Sequence, residues 1–243
     1  MPILSTEASG EKGSGAFGGP ISRDSLSQRA YIAIRGSLMH SRLRPGQKLV
    51  ARQVADELNI SVTPVRESLL RLVSEHALSL DERGTVIVPK VTLERCIEIR
   101  DIRMLNEGEG AARAAIRASE ADIAVLEQIH ENYRAIEQKN DYQAALTENE
   151  NFHFTLCRLS GSEALFGIVE NLWIQFGPVL AYLYDGGQRP FHGEIHGHIH
   201  VINALRSHDP EQARNAIQHD ILTGGQVIVD RLSAEEKTST ELT

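Results

Sequence analysis

The chain has 243 residues, 25 Lys/Arg against 33 Asp/Glu and a net charge of −8, with 41% hydrophobic and 5% aromatic residues. This composition excludes collagen-like and intrinsically disordered chains, and the length suffices for one large core or two small ones. No apolar run stands out as a membrane span, no charged start leads into an apolar stretch, and two cysteines (Cys96 and Cys157) are too few for a disulfide framework, so a cytoplasmic protein without membrane contact is expected.

Residues 1–20 are rich in Gly, Ser and Ala without an apolar period, which predicts a flexible tail. Leu26, Ala30, Ile34 and Leu38 follow at steps of four and predict a helix, broken at Arg44-Pro45-Gly46. Val50–Leu58 reads as a short helix and Asn59-Ile60-Ser61 as a turn. Ser61 or Thr63 can cap the next helix, Pro64 sits just inside its start, and Val65, Leu69 and Leu72 carry the period towards His76. Leu78-Ser79-Leu80, the polar turn Asp81-Glu82-Arg83-Gly84 and Thr85–Val88 then read as a β-hairpin. Beyond them six helices are predicted: Leu93–Ala118, Glu120–Lys139, Tyr142–Leu159, Glu163–Leu183, His192–Ser207 and Pro210–Leu232. Their joints are short, and a loose polar end from Ser233 to Thr243 follows. The expected fold is mainly α: a winged helix-turn-helix over residues 21–90, then an all-helical antiparallel bundle over residues 91–232.

Charge supports the division. Residues 21–90 hold eleven basic against seven acidic side chains, a net +4, and the first twenty carry −1, which leaves −11 for residues 91–243. The acidic average, which alone argues against nucleic acid, therefore hides a basic module joined to an acidic one. A recognition helix offers its first turn to the major groove, where N–H groups and hydroxyls hold phosphate. Here that turn brings Ser61, Thr63 and Arg66. Arg52 lies on the preceding helix, Arg83 or Thr85 at the wing tip can reach backbone or minor groove, and Gly84 of the same turn is counted with the DNA contacts. A guanidinium that grips guanine twice supplies about 1–3 kcal/mol of discrimination. Taken singly, each arginine also reads as an ordinary solvated side chain.

The stretches Gln28–Leu38, Leu43-Arg44-Pro45-Gly46, Val54–Leu58, Ile60–Leu69 and Arg71-Leu72 resemble the DNA-binding domain of GntR-family repressors. The resemblance implies that Arg52 and Arg66 contact DNA. The residue after Ser61, often Arg in that family, is Val62 here, which removes one base or phosphate contact and leaves an apolar group for a thymine methyl.

The second module is rich in histidine. On a helix, Ala145, Asn149, Phe152, His153 and Leu156 share one face, so Asn149 and His153 point inward together. Ile195, His198, Ile202 and Leu205 share another, which places His198 inside. His192, His196 and His200 form a neighbouring stripe expected in solvent, and His219 flanks the stripe of Ala213, Ala216 and Ile217. Inward imidazoles with an oxygen donor suit Zn, Ni or another divalent first-row metal; hydrogen-bonded core histidines are the alternative. Arg103-x3-Glu107-x3-Ala111-Ala112, Asn149-x2-Phe152-His153, His198-x2-Val201-x2-Ala204 and Asp209-x3-Ala213-x5-His219 resemble the effector domain of the FadR/VanR branch of GntR regulators. That resemblance implies Asn149, His153, His198 and His219 as metal ligands, with Asn149 where Asp is common. Arg103 either faces an effector carboxylate or pairs with Glu107 on the helix surface.

A three-histidine metal site also suits a hydrolase. However, Glu148 and Glu150 point about 100° to either side of Asn149, and no Ser/His/Asp order, Gly-rich phosphate loop or His-Glu-x-x-His motif occurs. The expected function is therefore a regulator rather than an enzyme: a homodimeric repressor on a palindromic double-stranded DNA operator, controlled by a small carboxylate effector.

Overall fold

The computed structural model describes residues 26–183 and 196–241; the tail expected over residues 1–20 and the early part of the helix expected from His192 lie outside them. Helix α1 (Leu26–Met39) buries Ala30, Ile34 and Leu38, the residues spaced at four. The chain reverses through Ser41 and Gly46, both at positive φ, into β1 (Lys48–Leu49) and α2 (Ala51–Leu58). Asn59 ends α2 in the left-handed region (φ 52°), its N–H bonded to Ala55 and Asp56 carbonyls. Helix α3 (Val62–Ser74) buries Pro64, Val65, Ser68, Leu69 and Leu72. It is tied to α1 by Ser68 Oγ on the Ser27 carbonyl (2.6 Å) and Tyr31 Oη on Glu75 (2.7 Å).

The expected hairpin is β2 (Ser79–Leu80) with β3 (Val86–Ile87), antiparallel, with Leu80 opposite Val86. A third strand joins it: β1 pairs antiparallel with β3 (Lys48 opposite Ile87), giving the order β1-β3-β2. Two residues are too few to show an alternating pattern, so β1 left no trace in the sequence.

The bundle comprises α4 (Leu93–Arg117), α5 (Glu120–Glu137), α6 (Tyr142–Leu159), α7 (Glu163–Leu180, continued by a 3₁₀ turn Ala181–Leu183), α8 (Gly197–Arg206) and α9 (Pro210–Glu241). Side chains of Thr92, Ser119, Asp141 and Ser162 cap α4 to α7, and Ser119 with Asp122 forms a reciprocal capping box. Where a loose end is expected from Ser233, the described residues are helix as far as Glu241. There Ser233 Oγ donates to the Val229 carbonyl (2.8 Å), and Glu236 accepts the Leu93 N–H at the exposed start of α4 (3.2 Å). Helix α7 departs from the expectation of no span-like run. With its 3₁₀ turn it is long and apolar enough to cross a membrane, but half of its most apolar window is buried within the protein, around Val169, Leu172 and Trp173.

One cluster of buried side chains fills the bundle between α4, α5, α6, α8 and α9, around Phe152, Leu156, Leu205 and Ile217. The other runs from the winged helix into α7. At this joint Ser41 Oγ donates to the Gly177 carbonyl, Arg35 pairs with Glu170 (2.8 Å), and His40 Nε2 lies 3.2 Å from Glu150. A Cβ on Gly177 would sit 2.4 Å from the Leu38 carbonyl oxygen and 2.7 Å from Met39 Cα. Both are backbone atoms that cannot swing away. Gly177→Ala is therefore expected to cost about 1–3 kcal/mol and loosen the joint; an unchanged denaturant midpoint would show that the two helices do not meet this closely.

Candidate functional site

The reading face comes first in the chain. Ser61 occupies the N-cap of α3 in extended backbone, yet its side chain makes no capping bond, and Thr63 lies inside the helix. The expected hydroxyl cap is thus absent, and the first-turn N–H groups keep no side-chain partner of that kind. Arg52, Ser61, Thr63, Arg66 and Gly84 are exposed, whereas Val62 is half-buried and packs against the winged-helix core. Arg66 lines a groove of about 410 Å³ with Leu70 of α3 and with Leu80, Gly84 and Thr85 of the wing. The wing is shaped by Asp81, whose carboxylate accepts the N–H groups of Thr85 (2.8 Å) and Arg83 (3.0 Å) and lies 3.5 Å from Lys48. These backbone bonds, Thr85 first, hold its pKa below the usual carboxylate range. Gly84 closes the turn at φ +74°, a backbone that L side chains rarely adopt.

In the bundle the structure brings Arg103, Asn149, His153 and Asp220 to one cavity of about 40 Å³, with Phe176 and Leu180 among its apolar walls. That volume suits an ion and a few small polar atoms. Helix α4 contributes Arg103 and Glu107, both buried. The Arg103 Nε–Glu107 bond is 2.7 Å, and the guanidinium lies 4.2 Å from the Trp173 ring centre. Arg103 thus pairs with Glu107, inside the protein rather than on the surface, and lines the cavity.

Glu107 is the hub. Its second oxygen lies 2.6 Å from His153 Nδ1, and Trp173 Nε1 donates to the first at 3.1 Å. Burial alone would push the Glu107 carboxyl up, but the Arg103 and His153 charges outweigh it and hold it at about 2. Burial likewise opposes the charged form of His153, and Glu107 with Asp220 overcomes it, raising that imidazole above its ordinary value. A carboxylate on Nδ1 fixes the ring and turns Nε2 towards Asp220, 3.3 Å away, which is how histidine ligands are usually oriented.

His198 is fully buried and stacked on Phe152 (3.7 Å between ring centres), and one ligand atom each from His153, His198 and Asp220 lies within 4.8 Å of the others. His198 Nε2 and Asp220 Oδ1 have no hydrogen-bond partner among the described residues. A Cβ on Gly197 would fall 2.4 Å from Asp220 Oδ1, so only glycine between His196 and His198 lets this carboxylate approach the start of α8. Two imidazoles, a carboxylate and orphaned buried atoms fit a divalent transition metal, with Asn149 at the same cavity.

Two sequence expectations are corrected. His219 is exposed and does not join the site, because Ala213, Ile217 and Asp220 set the inward stripe of α9, and His219 is one residue out of phase. His196 is buried rather than solvated, since α8 begins only at Gly197. His196 is its extended N-cap (φ −57°, ψ 139°), and its Nδ1 accepts the His198 N–H at 3.2 Å. His200 is exposed as expected, and His192 lies outside the described residues. Sequence reasoning also missed His130, although Ile123, Leu126, His130 and Tyr133 form one buried stripe of α5.

A winged helix with an exposed recognition helix, joined to a helical bundle with a small cavity, is the architecture of a DNA-binding regulator. Residues 26–88 match the bacterial regulatory proteins of the gntR family and residues 98–223 the FCD domain. The chain is 30% identical to the HTH-type transcriptional regulator McbR of Escherichia coli K12, over 82% of this chain and 90% of McbR. It is 26% identical to the HTH-type transcriptional repressor RspR of the same strain, over 80% and 85% respectively. The solved structure of E. coli McbR/YncC superposes with a TM-score of 0.80 at 28% identity, covering 86% of this chain and 99% of that one. The chain therefore belongs to the GntR family of transcriptional regulators with an FCD domain. The relatives carry the names of regulators, not of hydrolases.

Proposed function

We propose that this regulator is a repressor. Residues 21–90 bind a palindromic operator as one half of a homodimer, and residues 91–232 bind a small organic carboxylate beside a Zn or Ni ion and supply the dimer contacts. Its workplace is the cytoplasm, with the DNA. On the DNA side Arg52, Ser61, Val62, Thr63, Arg66 and Gly84 make the contacts. In the bundle His153, His198 and Asp220 hold the metal with Asn149 alongside, and Arg103 grips the effector carboxylate. The observation that carries the reading is the meeting of Arg103, Asn149, His153 and Asp220 at one small cavity. A bound metal supplies a Lewis-acidic centre for a carboxylate oxygen, and Arg103 offers the second point of attachment. Exposed Leu105 and Ile116 on α4 supply apolar surface for dimer contact.

The same helices face both modules. In α6 Asn149 lines the cavity while its neighbour Glu150 meets His40; in α7 Phe176 lines the cavity while its neighbour Gly177 touches the end of α1. A ligand that shifts either helix changes how the winged helix is held, and it weakens DNA binding by as much as it prefers the DNA-free arrangement. His153→Ala combined with His198→Ala is expected to abolish bound metal, read by mass spectrometry of the intact regulator. Metal content equal to wild type would refute the ligand set.

A further inference from the structure

A second group of imidazoles lies beside that cavity. His130 of α5 and His196 and His198 at the start of α8 are all buried, and one ligand atom from each lies within 4.8 Å of the other two. His130 Nδ1 and His198 Nδ1 face each other at 3.4 Å, and the His196 ring centre is 4.2 Å from that of His198 and 5.3 Å from that of His130. Tyr133 closes one side, 4.9 Å from His196, and Phe152 stacks on His198. No carboxylate forms a hydrogen bond to His130 or His198 among the described residues, and His130 Nε2 and His198 Nε2 have no hydrogen-bond partner there. Three imidazoles converging between Tyr133 and Phe152, with two nitrogens unmated and the Asp220 carboxylate 3.7 Å from His196 Nδ1, is a costly arrangement for a core that needs only packing.

We infer that His130, His196 and His198 form a second, all-imidazole metal position for a borderline divalent ion such as Zn²⁺, Ni²⁺ or Cu²⁺. The inference rests on reading the bundle as metal-binding and goes beyond it by giving His130 and His196 a role. A neutral imidazole has one lone pair to give, so two positions that share His198 hold one ion between them at a time. They differ in chemistry: Asp220 and Asn149 bring oxygen to one, while the other is nitrogen only and favours the softer ions.

The test uses the full chain, stripped with a chelator and reloaded with Zn²⁺ or Co²⁺ alone. His153→Gln with Asp220→Asn removes the first position and is expected to retain about one equivalent of metal on three imidazoles, with a Co²⁺ visible spectrum close to that of wild type. His130→Gln with His196→Gln is expected to weaken Zn²⁺ binding at least about tenfold. If the first pair fails to fold, the second still decides: unchanged affinity and an unchanged Co²⁺ spectrum would overturn the inference. A folded His153→Gln/Asp220→Asn protein without metal would overturn this position alone. Loss of all metal in His130→Gln/His196→Gln, with retention in the other pair, would overturn the Asp220 position instead. A wild type that binds no metal would overturn both.

Discussion

Arg66→Ala is expected to remove specific operator binding while leaving the protein folded. Arg66 stands exposed near the start of α3 and faces the wing across the groove that Leu80, Gly84 and Thr85 line. It has no ion pair among the described residues, so its guanidinium is free for a guanine or a phosphate. One bidentate base contact is worth about 1–3 kcal/mol, and a homodimer loses two, which predicts a fall of about 30- to 10⁴-fold in affinity. Stability should stay within about 0.5 kcal/mol, as for other exposed positions. Arg71, one and a half turns further on, makes the control. It is engaged by Glu75 (3.0 Å), by Gln28 (3.0 Å) and by the Tyr31 ring (3.7 Å), so Arg71→Ala should lower the melting temperature more than the operator preference. Fluorescence anisotropy on a specific and a scrambled duplex separates the two. Retained discrimination in Arg66→Ala would place the reading residues elsewhere.

Much of this fold was legible because its helices are punctuated by residues whose chemistry is local. Asp141 caps α6, and Ser160-Gly161 follows its end, so the period and the breaks agreed on Tyr142–Leu159. Strand β1 could not be read: its place is set by pairing with β3, a partner almost forty residues away. In the site, helical phase found His153 and His198, since both interrupt clear apolar stripes. It failed at the ends of helices. His196 looked solvated only on the assumption that α8 had already begun. His219 was implied by the family resemblance and only flanked the apolar stripe of its helix. Phase alone points to Asp220, three residues beyond Ile217 and seven beyond Ala213. Net charge misled for a related reason: a sum over the chain erases the contrast between a +4 reader and a −11 remainder.

Glu107→Ala is expected to be the most damaging single substitution in the bundle. Glu107 and its charged partners are almost wholly buried, with side-chain exposures of 2% for Glu107, 5% for Arg103 and 2% for His153. Three groups converge on its two oxygens: Arg103 Nε at 2.7 Å, Trp173 Nε1 at 3.1 Å and His153 Nδ1 at 2.6 Å. Removing the carboxylate strands an almost wholly buried guanidinium and leaves the indole N–H and His153 Nδ1 without their acceptor. Breaking a buried pair in this way costs about 3–5 kcal/mol, far more than the pair adds over apolar packing. Glu107→Gln preserves the volume and one carbonyl acceptor while deleting the charge, so it should cost less stability. It should still weaken metal binding about 10- to 100-fold, because His153 loses the partner that orients its ring. Urea denaturation of the metal-free proteins measures the first effect and Zn²⁺ titration of the folded Glu107→Gln protein the second. Wild-type affinity in Glu107→Gln would mean that Glu107 serves only to neutralise Arg103, and that His153 is held in place by packing against Trp173, whose ring centre lies 5.2 Å away.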